Sequence, residues 1–170
     1  MDRDITIAPL CNEDSQQIID LILPIQQIEF NVPITLAGQT DLLDIETHYH
    51  QPGGGFWGAR SAGQLIGTIA LMDMGHQAGA LRKMFVRKEF RGKETGVARR
   101  LLETLIAYSR EKGITDIYLG TVDMLKAAHR FYEQNGFVRI DVGDLPSYFP
   151  RMKADNIFYH LHMDADNAVK

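Results

Sequence analysis

Residues 80–103 read ALRKMFVRKEFRGKETGVARRLLE, and the division of this stretch decides the fold. ALRKMFV, Ala80 to Val86, reads as a strand. From Gly96 the chain runs GVARRLLETLIAYSREKG, an amphipathic helix with Ala98, Leu101, Leu102, Leu105 and Ile106 on one face and Gly113 as its stop. Between strand and helix lies a basic turn with Gly92 and Gly96. A helix start has N–H groups without helical partners and the positive end of the macrodipole, so it suits a phosphate. Gly92, Gly96 and Ala98 leave room for close backbone approach. Arg91, Lys93 and Arg99 add charge, and Arg can grip phosphate through two parallel hydrogen bonds. Taken alone, such a stretch reads first as a solvated, basic helix start. The nucleotide fingerprints fail here: Lys93 is followed by Glu94 rather than Ser or Thr, and the spacing of Gly92 and Gly96 does not fit a dinucleotide loop.

Working outward, Ile5 and Ile7 alternate with small or polar residues as a first strand. SQQIIDLIL follows as a helix, with Asn12 or Asp14 as candidate caps, and Pro24 interrupts or kinks a pattern that resumes through Phe30. TDLLDIETHYH reads as a second short helix capped by Thr40 or Asp41. After the breaker QPGGGF come FWGAR, a turn at SAGQ, and LIGTIALMDM, a hairpin. Beyond the long helix, ITDIYLGT is a strand, LKAAHRFYEQNG a helix, and FVRI and NIFYHLHM are strands. The order is strand, two helices, three strands, helix, strand, helix, two strands. It predicts an α/β protein, one domain over 1–170, with a mixed, mostly antiparallel central sheet of about six to seven strands and helices on both faces. The strands flanking the long helix should be parallel, since a helix crosses between them.

With 170 residues and 45% apolar side chains, the chain can bury a sizeable core. A formal charge of −4 argues against a general nucleic-acid binder. Basic residues concentrate instead between Arg82 and Arg100, which suits a compact anionic ligand. The lone Cys11 excludes an intrachain disulfide and a zinc site built on several thiolates. The start MDRDITIAPL lacks the features of a signal peptide, and IIDLILPI is too short to span a bilayer. A cytoplasmic protein without a membrane partner is expected.

From Leu65 to Phe137 the chain resembles the GCN5-related N-acetyltransferase (GNAT) superfamily. LIGTIALM is similar to its third strand, residues 80–103 to its acetyl-CoA-binding strand, loop and helix, and AAHRFYEQNGF to its C-terminal segment. The loop departs from the common pattern: RGKE stands where RGKG is usual, which makes it two residues longer. The resemblance implies that the two strands flanking the long helix splay apart and that the pantetheine arm lies between them. It then hydrogen-bonds the main chain of Met84, Phe85 and Val86. The pyrophosphate would lie on Arg91, Gly92, Lys93, Glu94, Thr95, Gly96, Val97, Ala98 and Arg99, with Ala128 packed nearby. Tyr132 would sit at the CoA sulfur, while Leu125 replaces the Asn the family often has seven residues earlier.

The activity so implied is acetyl transfer from acetyl-CoA, without a metal, to a primary amine of a small molecule or peptide. Dimers are common in the family. Glu29 is a candidate for the amine side, with Asp73, His76 and His129 as other candidate bases. The pairs His48/His50 and His160/His162 lack a recognisable third metal ligand. The loops NVPITLAGQTDLLDIETHYH and DVGDLPSYFPRMKAD are expected to define the acceptor. A non-catalytic acyl-CoA-binding or sensing module is the alternative on the same fold.

Overall fold

The protein is described by a computed structural model covering residues 4–32, 34–92, 95–152 and 154–164. Seven strands form one sheet: β1 (Ile5–Pro9), β2 (Gly55–Ser61), β3 (Gln64–Gly75), β4 (Ala78–Val86), β5 (Asp116–Thr121), β6 (Val138–Ile140) and β7 (Ile157–His162), in the order β1-β2-β3-β4-β5-β7-β6. Every neighbouring pair is antiparallel except β4 with β5. The helices are α1 (Ser15–Pro24), α2 (Val97–Glu111) and α3 (Lys126–Gln134).

Alternation along β2 and β3 builds two cores, one on each face. Trp57, Ile69 and Leu71 pack with Leu101, Leu102 and Leu105 of α2 and with Tyr132 of α3. Phe56 and Ala70 point the other way, to Ile18, Ile22 and Tyr49. The expected SAGQ turn is a two-residue connection in which Ala62 and Gly63 have φ of 52° and 78°, the hand that matches strand twist.

The first helical region follows the sequence. α1 ends at Pro24, which cannot donate to the α-helical ladder, and a π-helical turn carries the chain through Ile25–Glu29. The second departs from it. TDLLDIETHYH forms a 3₁₀ turn, Thr40–Leu43, and a π-helical turn, Glu46–His50, neither with a side-chain cap. Asp41 is drawn inward instead, accepting the Tyr49 hydroxyl at 2.5 Å. Neither Asn12 nor Asp14 caps α1 with its side chain; Asp14 pairs with Arg60 at 2.8 Å.

The site depends on where β4 and β5 part. They pair only at Ala78↔Asp116, Gly79↔Ile117 and Ala80↔Tyr118. Beyond that β5 stays with β7 through Thr121↔Ile157 while β4 stays with β3. The register of β4 on β3 shifts between Ala70↔Arg82 and Thr68↔Phe85, so Lys83 and Met84 together oppose Ile69. Lys83 has φ of 54°, and the Thr68 hydroxyl donates to its buried carbonyl at 2.8 Å. A bulge of this kind bends and twists its strand, which turns β4 away from β5.

Candidate active site

The parted strands open a cleft. Leu81, Arg82, Lys83 and Phe85 of β4 line one wall, and Gly120 and Thr121 of β5 the other. Gln26 and Phe30 after α1, Gln39, and Phe149, Pro150, Met152, Ala154 and Asp155 before β7 close it from the sides.

Lys83 is the most buried cation here, with 8% of its surface exposed. Its ammonium donates to Gln39 Oε1 at 2.5 Å and lies 3.6 Å from Asp41 Oδ2. Gln39 and Gln26 exchange amide hydrogen bonds at 2.8 and 3.2 Å. Burial pulls the Lys83 pKa down to about 8, against the attraction of Asp41 and with help from the Arg82 charge. For Asp41 the balance runs the other way: burial raises its pKa, but the Lys83 charge and the Tyr49 hydroxyl outweigh it and leave the carboxyl lowered.

Asp155 faces this group from the segment entering β7. Its carboxylate lies against Gly120, where a Cβ would overlap it, so the glycine makes the space. Burial raises its pKa, opposed by the Met152 main chain and by the charges of Arg82, Lys83 and Arg151. Sequence reasoning named the two loops that carry Gln39, Asp41 and Asp155, but Asp41 only as a candidate helix cap, and Gln39, Asp155 and Lys83 not at all. No local pattern marks them, because their burial comes from segments far apart in the chain.

Tyr132 of α3 is 6% exposed and is held between Phe131, Phe137 and Tyr159, with ring centroids 5.8, 5.5 and 5.8 Å away. Burial, followed by the charges of Asp155 and Tyr159, pushes its phenol well above the ordinary value. Among the described residues its hydroxyl has no hydrogen-bond partner.

At the other end of the cleft, Gly96 adopts φ of 64° and starts α2 without a side-chain cap. Arg100 N–H bonds back to the Gly96 carbonyl at 2.9 Å. The N–H groups of Val97, Ala98 and Arg99 precede the first helical bond, the arrangement that receives anions. Val97 itself is fully buried, and Ala98 and Ala128 pack on the same core. Thr95 closes the loop by donating to the Phe90 carbonyl at 2.6 Å, and Gly92 is exposed with φ of 107°. Lys93 and Glu94 lie outside the described residues.

Arg91 is already engaged. Its Nε donates to the Val86 carbonyl at 2.8 Å, and its two terminal nitrogens grip both carboxylate oxygens of Glu29, one of them at 2.7 Å. The structure therefore ties Glu29 to the loop between β4 and α2. Its carboxyl is lowered, first by the Arg91 hydrogen bond and charge, against burial, which makes it a weak proton acceptor. Arg99 reaches only Glu103, 3.4 Å away on an exposed helix face.

The other candidate bases have structural partners. Asp73 accepts the Gly75 N–H at 2.9 Å, and His76 stacks on Tyr148 at 4.2 Å, both beside the closed end of the β4–β5 pair. His129 meets the Val122 carbonyl at 2.9 Å. His160 and His162 do share a carboxylate, that of Asp116, at 2.7 and 2.9 Å. Among the described residues no three His, Cys, Asp or Glu side chains are grouped to hold a metal, and no helix is long and apolar enough to cross a membrane.

The acetyltransferase (GNAT) family model matches residues 19–137, more than half of the chain. An N-acetylaspartate synthetase of Danio rerio is 34% identical over 131 residues, which cover 74% of this chain and 45% of that protein. The chain spans about half the length of the curated relatives it matches. A GNAT-family acetyltransferase from Staphylococcus aureus Mu50 is 39% identical, with a TM-score of 0.92 over 95% of this chain and all of that one. The PaiA N-acetyltransferase from Thermoplasma acidophilum, solved in complex with coenzyme A, shares the fold at 19% identity, with a TM-score of 0.74 over 94% of this chain and 99% of that one. Parted β4 and β5 strands, the uncapped α2 start and the matched sequence lead to one assignment: the chain belongs to the acetyltransferase (GNAT) family.

Proposed function

We propose that the chain transfers an acetyl group from acetyl-CoA to a primary amine by direct attack. The observation that carries this reading is the gap between β4 and β5, bounded at one end by the α2 start and at the other by a charged cleft. The pantetheine arm would fill the gap as an extra strand along the Met84, Phe85 and Val86 edge of β4 that β5 leaves uncovered, where the Val86 carbonyl is already taken by Arg91. Val97, Ala98 and Arg99 N–H groups would hold the pyrophosphate. One β4 main-chain N–H, of Phe85 or Val86, would face the thioester carbonyl and stabilise its oxyanion.

An alkylammonium has a pKa of about 10.4, so presenting it as the free amine at neutral pH costs roughly 4 to 5 kcal/mol. Asp155, raised by burial, is better placed to receive that proton than Glu29, which is lowered by Arg91. The amine lone pair forms the C–N bond, and collapse of the tetrahedral intermediate breaks the C–S bond. Tyr132 assists the leaving sulfur as a hydrogen-bond donor. Full proton transfer from it is disfavoured, since its burial makes it a much weaker acid than the thiol it would protonate.

Glu29 takes no part in proton transfer in this scheme; it holds both terminal nitrogens of Arg91 in competition with the phosphate. The test is release of free thiol from acetyl-CoA with a panel of primary amines, together with acetyl-CoA titration. Amine-dependent thiol release with an acetylated product supports the reading. Tight acetyl-CoA binding without turnover of any amine would leave a binding or sensing module instead.

A further inference from the structure

Among the described residues, two charges in the cleft lack an opposite partner. Arg82 makes its side-chain hydrogen bond to the Met152 sulfur, at 3.1 Å, and a thioether is a weak acceptor. Among the described residues no carboxylate lies within ion-pair distance of Arg82 or cation within that distance of Asp155. Lys83 differs, being held by Gln39 and Asp41. The cleft thus presents one free guanidinium from β4 and one free carboxylate from the strand-entry segment. Each feels the other's charge without touching it. Around them one part of the lining is apolar, Phe30, Val32, Ile34, Leu125 and Phe149, and the rest includes Gln26, Gln39, Lys83 and Thr121.

We propose that the acceptor is a free α-amino acid, or a close analogue, with an apolar side chain. Its carboxylate pairs with Arg82, its ammonium faces Asp155, and its side chain lies among Phe30, Ile34 and Phe149. This rests on the acetyl transfer proposed above and narrows its substrate.

A guanidinium takes a carboxylate through two parallel hydrogen bonds, replacing the sulfur contact with a stronger one. A polyamine would bring a second ammonium toward Arg82 and Lys83. A peptide N-terminus has no free carboxylate beside its amine. A second carboxylate, as on a dicarboxylic amino acid, would lie among Phe30, Ile34 and Phe149 and lose its hydration there, since among the described residues the one further cation of the lining, Lys83, is held by Gln39 and Asp41. Of the two protons the ammonium loses, one passes to Asp155 and on to solvent before attack, and the other leaves with the thiolate as CoA thiol. The C–N bond forms and the C–S bond breaks.

The test compares kcat/KM for leucine and phenylalanine with their carboxamides, with their decarboxylated amines, with aspartate and with putrescine. Wild type, Arg82→Gln and Arg82→Lys are measured, each checked for folding by circular dichroism. A charge-assisted pair of this kind is worth roughly 10- to 100-fold, so the free apolar amino acids should exceed their carboxamides by that factor. Arg82→Gln should bring the ratio to within about threefold, mostly through KM, and Arg82→Lys should keep part of it. Carboxamides or decarboxylated amines that match the amino acids overturn the proposal while acetyl transfer stands. So does aspartate outpacing leucine, or a ratio that survives Arg82→Gln. Absence of thiol release with every amine overturns the transfer reading and this proposal with it.

Discussion

At the residue scale, Tyr132 and Gly120 give separable predictions. The Tyr132 hydroxyl bonds to nothing among the described residues, so Tyr132→Phe should leave the melting temperature and acetyl-CoA affinity nearly unchanged. If the hydroxyl serves the leaving sulfur, kcat should fall roughly ten- to a thousandfold. Full activity with chemistry shown to be rate-limiting would remove it from the reaction. Gly120 acts by what it omits. A methyl group there overlaps the Asp155 carboxylate, so Gly120→Ala should displace Asp155 and lower kcat/KM for the amine. Because both changes disturb one group, Gly120→Ala should add little to Asp155→Asn, and a double-mutant cycle reads this directly. Fully additive losses would mean that the glycine matters for another reason.

At the element scale, the loop between β4 and α2, the proposed phosphate site, is tied to the end of the first helical region through Arg91 and Glu29, 62 positions apart. Both side chains are about a third exposed, and such pairs contribute about 1 kcal/mol or less to stability. The larger consequence falls on binding. With the pyrophosphate at this loop as proposed, Glu29 would compete with it for Arg91, so Glu29→Gln should tighten acetyl-CoA a few-fold at low salt, with the gain shrinking as salt screens it. A rise in KM for the amine, with acetyl-CoA affinity unchanged, would return Glu29 to the acceptor side. Neutralising Arg91 and Arg99 together should weaken acetyl-CoA binding, again more at low salt. Unchanged titration curves would leave the main-chain N–H groups of α2 as the principal phosphate contacts.

At the scale of the whole molecule, stability should carry a pH signature from the β5–β7 joint. Burial raises the Asp116 carboxyl, but hydrogen bonds from His162, His160 and Thr115 outweigh it and leave the pKa lowered. Its contribution is present above the unfolded value of about 4 and is lost as pH falls through the folded value. The His162 ring is raised, chiefly by its hydrogen bond to Asp116. Its contribution is full below about pH 6.5 and is lost as pH rises through the folded value. Both are present between about pH 4 and 6.5, so the melting-temperature deficit of Asp116→Asn should be largest there and smaller at pH 8. A deficit independent of pH would mean that the joint is held by main-chain pairing alone.

The features legible in the sequence are those whose cause is local. Leu101, Leu102 and Leu105 recur at the helical period, so α2 was readable. Phe56 and Trp57 face opposite cores because strand side chains alternate. The Gly96 helix start needs only its neighbours. The expected caps at Thr40 and Asp41 failed because Asp41 is drawn to Tyr49 and Lys83, which lies 42 positions away in sequence from Asp41. Burial of Lys83 and Asp155, the open guanidinium of Arg82 and the pairing of Glu29 with Arg91 were not readable. A charged side chain's partner and dielectric surroundings are set by whichever distant segments pack around it. Composition and periodicity determined the strands, the long helices and the glycine turn before α2. The parting of β4 from β5 was implied by the family resemblance, but its cause, a bulge at Lys83 whose geometry depends on Thr68 across the sheet, and the charge of the cleft came only from the tertiary structure.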